Sequence, residues 1–265
     1  MFQSLFVAAS GKRSEKRIAS AATRIIAFAA LALSGFAATA AAQPWTSYAD
    51  NTRYLAIGDS LSAGYEAKPV TQGFVYQLYQ GGVIDSLNNL LFCNMSVPGA
   101  RSIDVLSHQV PQAQLFFDQT GKSYKKVVTI TVGGNDALAL LDPSGNINLG
   151  QVPGMIQAYG NNLAAIFGSL VAANPDVRIY VGNLYDPKLP IPGADLLIAA
   201  MNQATATVAG FFPANVTLVD VHTTFDGRSG LLLVERKGAG FNIHPTDAGY
   251  RVMTNTFADA IASHP

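Results

Sequence analysis

The chain has 265 residues with 17 Lys+Arg and 17 Asp+Glu, so its formal net charge is zero. A balanced charge lacks the basic surface of a nucleic-acid-binding protein. Apolar residues make up 49% of the chain and charged residues only 13%, which excludes a disordered polar tail. The single cysteine, Cys93, excludes an internal disulfide and a cysteine-rich zinc cluster.

The first 42 residues have the pattern of an export signal. Five basic residues between positions 12 and 24 precede an Ala-rich apolar stretch over residues 25–42, which ends in small residues. This order is typical of a secretory signal peptide, with cleavage expected near Ala42-Gln43. An uncleaved membrane anchor is the alternative, but the stretch is at the short limit for spanning a bilayer. We therefore expect a secreted or periplasmic product without stable membrane insertion.

The expected product, residues 43–265, is mildly acidic. The signal holds five of the 17 basic residues and one of the 17 acidic residues, which leaves 12 against 16 and a net charge of −4. This charge disfavours nucleic acid and anionic membranes as partners. No pattern in the sequence indicates an oligomeric state.

Residues 43–265 are predicted to form one α/β domain, because short β-rich runs alternate with longer stretches of helical spacing. The predicted strands cover residues 53–57, 92–97, 127–132, 177–182 and 216–221. The predicted helices cover residues 74–79, 103–114, 155–173, 195–211 and 247–262. Such alternation predicts a parallel sheet with helices on both faces, and the continuous apolar character of the strands agrees with burial on both sides.

Ligands bind such sheets at the carboxyl ends of the strands, so the loops that follow the strands are the candidate site. The first strand runs into Gly58-Asp59-Ser60-Leu61. A serine placed directly after a buried strand can present its hydroxyl at this edge as a nucleophile. Serine is also a common helix cap, which is the alternative interpretation of Ser60.

The next two strands are followed by loops rich in hydrogen-bond donors. Gly99 lies in the loop after the second strand, and Gly133-Gly134-Asn135-Asp136 follows the third. Glycine lets a main-chain N–H approach a ligand closely, and an Asn amide is a neutral donor. Together with Ser60 they could form an oxyanion hole beside a nucleophile.

A general base is the remaining requirement, and His244 is the candidate. It lies in Phe241-Asn242-Ile243-His244-Pro245-Thr246-Asp247, on the loop that enters the last predicted helix. The other histidines, His108, His222 and His264, have no comparable context and are expected to be surface or hydrogen-bonded core residues.

These blocks, in this order, resemble those of the GDSL or SGNH hydrolase family. The resemblance implies a three-layer α/β/α sandwich with a flavodoxin-like parallel five-stranded sheet and no metal or cofactor. It implies Ser60 as nucleophile and His244 as base. It also implies an oxyanion hole formed by the main-chain N–H groups of Ser60 and Gly99 and the side chain of Asn135.

One position departs from the family pattern. The family usually has an Asp three residues before the histidine, where it orients the ring, and this chain has Phe241 there. The ring N–H could instead be held by a main-chain carbonyl near Phe241, by the Asn242 side chain, or by Asp226 or Asp247. We favour a Ser-His dyad supported by a main-chain carbonyl.

The expected function is a secreted serine hydrolase of the esterase/lipase type, acting on a small-molecule or lipid ester. Apolar residues follow the third and fourth strands, and they suit an acyl chain: Leu138, Leu140, Leu141, Leu184, Tyr185, Leu189 and Ile191. A carbohydrate O-acetylesterase is the alternative enzyme. An inactive secreted binding protein on the same fold is the alternative from another class.

Overall fold

The structure is a computed structural model that describes residues 52–85, 90–120, 124–237 and 240–264. The predicted export signal, residues 1–42, and its cleavage site lie outside these residues. Within the described ranges, no helix has both the length and the apolar character needed to cross a membrane.

A five-stranded parallel sheet forms the centre of the fold. Its strands are β1 (Thr52–Gly58), β2 (Leu90–Asn94), β3 (Lys126–Thr131), β4 (Arg178–Gly182) and β5 (Val216–Val219). They lie in the order β2-β1-β3-β4-β5, and every pairing is parallel. The strand order reverses between β1 and β3, which is where such sheets bind ligands. The predicted parallel sheet is confirmed.

Nine α-helices occur within the described residues. They are α1 (Ser60–Ala63), α2 (Phe74–Gln80), α3 (Ser102–Asp104), α4 (Val110–Thr120), α5 (Gly134–Leu138), α6 (Val152–Ala173), α7 (Ala194–Ala209), α8 (Val221–Phe225) and α9 (Asp247–Ser263). A π-helical turn, Val105–Gln109, joins α3 to α4, and short 3₁₀ turns cover Val70–Gln72 and Ser229–Leu231.

Helices cover both faces of the sheet, as the three-layer prediction requires. Alternate side chains of a strand point to opposite faces, and β1 follows this rule. Leu55 and Ile57 pack in a cluster with residues of α4, α6 and α7. Tyr54 and Ala56 pack in a second cluster with residues of α2 and α9. Because both faces are covered, β1 and β3 are buried throughout, whereas the edge strand β2 is only partly buried.

The second strand ends three residues earlier than predicted, and the fifth ends two residues earlier. The second strand, predicted over residues 92–97, ends at Asn94, because the Asn94 side chain accepts a hydrogen bond from the Ser96 main-chain N–H at 3.1 Å and turns the chain. The fifth strand ends at Val219, because Asp220 accepts a hydrogen bond from the Thr223 N–H at 3.1 Å and starts α8.

A small antiparallel hairpin near the C-terminus was not predicted. Its strands are β6 (Glu235–Lys237) and β7 (Gly240–Asn242), and it forms a second sheet separate from the central one. Strands of three residues are too short to show the alternating pattern that identifies a strand in sequence. The hairpin leads directly into the loop that carries His244.

Candidate active site

The turn after β1 holds Ser60 at the carboxyl edge of the sheet. Gly58 has φ +132°, and a Cβ added there would lie 2.0 Å from the Thr131 main-chain oxygen, so this position requires glycine. Asp59 is buried and caps α1, since its Oδ1 accepts from the Leu61 N–H at 3.0 Å and from the Thr131 hydroxyl at 2.9 Å. Asp59 is therefore the helix cap, and the Ser60 hydroxyl remains available to another partner.

That partner is His244. The Ser60 Oγ lies 2.7 Å from His244 Nε2, and the other ring nitrogen, Nδ1, lies 2.8 Å from the Asn242 side-chain oxygen. If Nδ1–H donates to Asn242, then Nε2 is unprotonated and accepts from the serine hydroxyl. This is the arrangement of a serine activated by an oriented general base.

The loop that carries His244 is anchored on both sides. The Leu233 N–H donates to the His244 main-chain oxygen at 2.7 Å, and the hydroxyl of Tyr185 donates to the Ile243 oxygen at 2.6 Å. Immediately after the loop, the Thr246 hydroxyl caps α9 by accepting from the Gly249 N–H at 3.1 Å. The imidazole therefore extends from a fixed backbone.

The described acceptor of the His244 Nδ1–H differs from the main-chain carbonyl that the sequence analysis favoured. Asn242 is the last residue of β7 and is only 5% exposed, so its side chain points inward and contacts the ring. Asp247 and Asp226 have other partners. The Asp247 Oδ1 accepts from the Lys68 main-chain N–H at 3.0 Å, and Asp226 lies 3.5 Å from the Lys188 ammonium.

The loops after β2 and β3 bring Gly99 and Asn135 to the same pocket as Ser60 and His244. Gly99 has φ +86°, a conformation that favours glycine. One amide hydrogen of Asn135 is directed to the Ala100 main-chain oxygen at 3.0 Å, which fixes the amide. An amide nitrogen carries two hydrogens, so Asn135 retains a second one for a ligand.

A buried carboxyl group holds these two loops together. The main-chain N–H and the hydroxyl of Ser102 donate to the Asp136 carboxylate at 2.9 and 2.6 Å, and the Asn162 amide donates to the Ser102 hydroxyl at 2.9 Å. Burial raises the pKa of Asp136. The sequence analysis did not assign Asp136 this role, because its partner is 34 residues away.

An apolar cavity of about 450 Å³ extends from these polar groups. Six of the seven residues predicted to contact an acyl chain line it, whereas Leu140 is buried in the core. The apolar lining comprises Leu61, Ala137, Leu138, Leu141, Ile147, Leu184, Pro187, Leu189, Ile191, Ala194, Leu197, Ile198 and Ile243. The volume lies within the range of small-molecule sites.

Sequence reasoning also missed a residue that braces the nucleophile turn. Gln109 is buried; its Oε1 accepts from the Gly58 N–H at 2.7 Å and its Nε2 donates to the Gly58 oxygen at 2.8 Å. The residue ends the π-helical turn, a local irregularity that is frequent at functional sites. No local sequence signal identifies it, since Gly58 is 51 residues away.

The other predicted residues lie outside this arrangement. The His222 Nδ1 lies 2.9 Å from the Leu184 main-chain oxygen, and His108 and His264 are exposed. No group of three or more His, Cys, Asp or Glu side chains suited to a metal ion occurs among the residues that the structure describes.

Comparison with known proteins identifies the family of this chain. Residues 56–252, more than half of the chain, match the family model described as the GDSL-like lipase/acylhydrolase family. The chain belongs to this family. Membership supports an ester-hydrolysing enzyme, in agreement with the resemblance found in the sequence. A comparison with curated proteins found no match.

Solved structures with the same fold include lipases and an acetyl xylan esterase. The chain is similar to the lipase Lip_vut3 from a goat rumen metagenome (22% identity, 79% of this chain and 97% of that chain, TM-score 0.63). It is similar to an extracellular lipase from Streptomyces rimosus (21% identity, 79% of this chain and 99% of that chain, TM-score 0.56). It is also similar to a variant of the acetyl xylan esterase from Geobacillus stearothermophilus (19% identity, 79% of this chain and 94% of that chain, TM-score 0.55). At these identities the likeness establishes the fold alone.

Asp59 should make the stability of the protein depend on pH. Burial raises its pKa from 3.8 to about 7, so the folded state retains a proton that the unfolded state releases between these values. The wild-type protein should therefore lose stability as the pH rises from 4 to 7. Asp59→Asn keeps an oxygen acceptor and removes the charge, so its stability relative to the wild type should increase over this range and level off above it.

Urea unfolding of both proteins at several pH values between 4 and 8 measures this difference. A stability difference that stays constant over that range would contradict the raised pKa of Asp59.

Proposed function

We propose that the protein is an exported serine hydrolase that cleaves carboxylic esters through an acyl-enzyme on Ser60. The observation that carries this proposal is the hydrogen-bonded series from the Ser60 Oγ to His244 Nε2 at 2.7 Å and from His244 Nδ1 to the Asn242 oxygen at 2.8 Å. It supplies a nucleophile, a base and a group that orients the base.

The proposed reaction has two steps. The Ser60 oxygen attacks the ester carbonyl while its proton passes to His244 Nε2, and the tetrahedral intermediate collapses to release the alcohol, which takes that proton. A water molecule then attacks the acyl-enzyme, His244 accepts its proton and returns it to Ser60, and the carboxylic acid leaves. Asn242 holds the tautomer in which Nε2 accepts a proton.

Three donors are proposed to stabilise the oxyanion. Ser60, Gly99 and Asn135 line the same pocket, which supports a site in which the main-chain N–H groups of the first two and the side-chain amide of the third donate to the oxyanion. The brace between Ser102 and Asp136 and the contact of Asn135 with Ala100 hold the donors in place before substrate binds. Donors fixed in advance avoid the reorganisation that water would require.

The apolar cavity favours an ester with an acyl chain over a carbohydrate O-acetyl group. A chain of several methylene groups would bury apolar surface against side chains such as Leu141 and Leu197, at roughly 0.8 kcal/mol for each methylene. An acetyl group would leave most of the cavity empty. The likeness to an acetyl xylan esterase keeps the second activity as the alternative.

Replacement of the nucleophile tests the mechanism and the alternative of an inactive binding protein. The wild type should hydrolyse a nitrophenyl ester and be labelled on Ser60 by a fluorophosphonate probe. Ser60→Ala should lose both properties and keep the wild-type circular dichroism spectrum. Because α1 is capped by Asp59, the change should not disturb the helix. Failure of the folded wild type to label would favour the binding protein, and an unchanged rate in Ser60→Ala would overturn the mechanism.

Acyl-chain preference tests the substrate class. Ala194 lines the cavity, whereas Ala199 is exposed on the same helix, α7. Ala194→Phe should fill part of the cavity and lower kcat/KM for hexanoyl and octanoyl nitrophenyl esters by at least tenfold, with little effect on the acetyl ester. Ala199→Phe is the matched control and should leave the chain-length profile unchanged. A wild type that prefers acetyl and gains nothing from longer chains would favour the O-acetylesterase.

The proposal that the protein is exported is based on its first 42 residues, in which basic residues are followed by an apolar stretch and then by small residues. Mass spectrometry of the protein recovered from the periplasm or medium should find an N-terminus at or near Gln43. Retention of the full chain in the cell membrane would indicate the uncleaved anchor instead.

A further inference from the structure

The amide that orients His244 has a second contact, with a carboxylate. Asn242 Nδ2 donates to Glu66 Oε1 at 3.4 Å. Glu66 lies in the segment that follows α1, 176 residues before Asn242, and no sequence pattern marks it. The contact adds a third member to the series that begins at Ser60, in a chain that lacks the usual Asp before the histidine.

The orientation of the Asn242 amide follows from its contact with the main chain. The His244 main-chain N–H, which can only donate, lies 3.3 Å from one side-chain atom of Asn242, and the ring Nδ1 lies 2.8 Å from the same atom. This atom must be the oxygen, since an amide nitrogen would face a donor. The amide nitrogen then lies at the other end, toward Glu66, whose carboxylate would repel the oxygen of a flipped amide.

The segment that carries Glu66 is fixed in place, and the backbone of Glu66 itself is strained. Glu66 has φ +67°, in the left-handed region that side chains other than glycine rarely adopt. The residues on either side are fixed by the helix that follows the His244 loop. The Tyr250 hydroxyl donates to the Tyr65 main-chain oxygen at 2.6 Å, and Asp247 accepts from the Lys68 N–H at 3.0 Å.

The same segment also contacts the imidazole directly. The Tyr65 ring packs against the His244 ring, with centroids 4.8 Å apart and a tilt of 55°. Residues 65 and 66 therefore contact the base and the residue that orients it. A strained backbone that is fixed on both sides, and that places one side chain against His244 and the next against Asn242, points to a functional role.

We propose that Glu66 is a positioning residue that supplies, through Asn242, the negative charge that the missing Asp would otherwise provide. A neutral amide orients the ring but does not compensate the positive charge that the imidazole acquires when it takes the Ser60 proton. The Glu66 carboxylate holds the amide and favours that charged form by electrostatic attraction. The proposal rests on the proposed function, because it assigns Glu66 a part in activating Ser60.

Other titratable groups near His244 come from the elements around it whose side chains the structure describes. Asp59 lies in the turn before Ser60 and lines the same pocket, and Asp247 lies in the first turn of α9. Asp259 is exposed on the same helix, twelve residues after Asp247. Asp259→Asn is therefore the matched control, because it also exchanges a carboxylate for an amide, about 18 Å along the helix from Asp247.

The first experiment measures the pKa of His244 by proton NMR of the ring signals, with the signal assigned through a His244→Asn variant. Glu66→Gln keeps an oxygen that can accept from Asn242 and removes only the charge. It should lower the pKa of His244 by about half a unit to one unit and kcat for a nitrophenyl ester about three- to tenfold. Asp259→Asn should give a clearly smaller change in both.

The second experiment tests the sign of the effect in a different background. Asn242→Asp places a carboxylate against Nδ1 but also against Glu66, and two carboxylates at one site disfavour each other's charge. Glu66→Gln should therefore raise kcat in the Asn242→Asp background, although it lowers kcat in the wild type. A residue that only supports the fold would lower kcat in both backgrounds.

Glu66→Gly separates this effect from a loss of folding. Glycine adopts the left-handed conformation without strain, so the variant should unfold at the same or a higher urea concentration than the wild type while the pKa of His244 falls. The proposal is overturned if Glu66→Gln changes the pKa of His244 no more than Asp259→Asn does, or lowers kcat in both backgrounds. A wild type that is not labelled by the fluorophosphonate, together with a shifted His244 pKa, would reject the proposed hydrolase and retain the electrostatic effect of Glu66.

Discussion

The position of Ser60, the proposed nucleophile, depends on a close approach between two main chains. At the end of β1 the backbone of Gly58 passes so near to Thr131 of β3 that no side chain fits between them. This approach lets Asp59 reach the Thr131 hydroxyl and cap α1 at the same time, and Gln109 secures it from the opposite side. The direction of the Ser60 hydroxyl is thus determined by the two central strands of the sheet.

His244, the proposed base, reaches the same edge of the sheet by a different route. His244 lies outside the central sheet, on a loop between a small hairpin and α9. Helix α9 connects the segment that follows Ser60 to the loop that carries His244. Asp247 and Tyr250 of α9 form hydrogen bonds with that segment, and the loop leads directly into the helix. Because α9 packs on the sheet and contacts both segments, it fixes the distance between Ser60 and His244.

Much of this arrangement could be predicted from short motifs because parallel strands end at one edge. Ser60, Gly99, Asn135 and His244 follow from their places near strand and helix ends, and the fold follows from the alternation of strands and helices. Asn242 could only be named among alternatives, because the acceptor of a ring N–H depends on the path of the nearby main chain. Gln109 and Glu66 could not be found at all, since their partners lie 51 and 176 residues away.

The distance along the chain between nucleophile and base has a consequence for biosynthesis. Ser60 and His244 are 184 residues apart, and a ribosome adds roughly 5–20 residues each second. The serine therefore emerges about ten to forty seconds before the histidine that would activate it. During that interval the nascent chain holds an ordinary hydroxyl of low reactivity. Under the proposed mechanism, hydrolytic activity therefore arises only when these distant parts of the polypeptide have folded together.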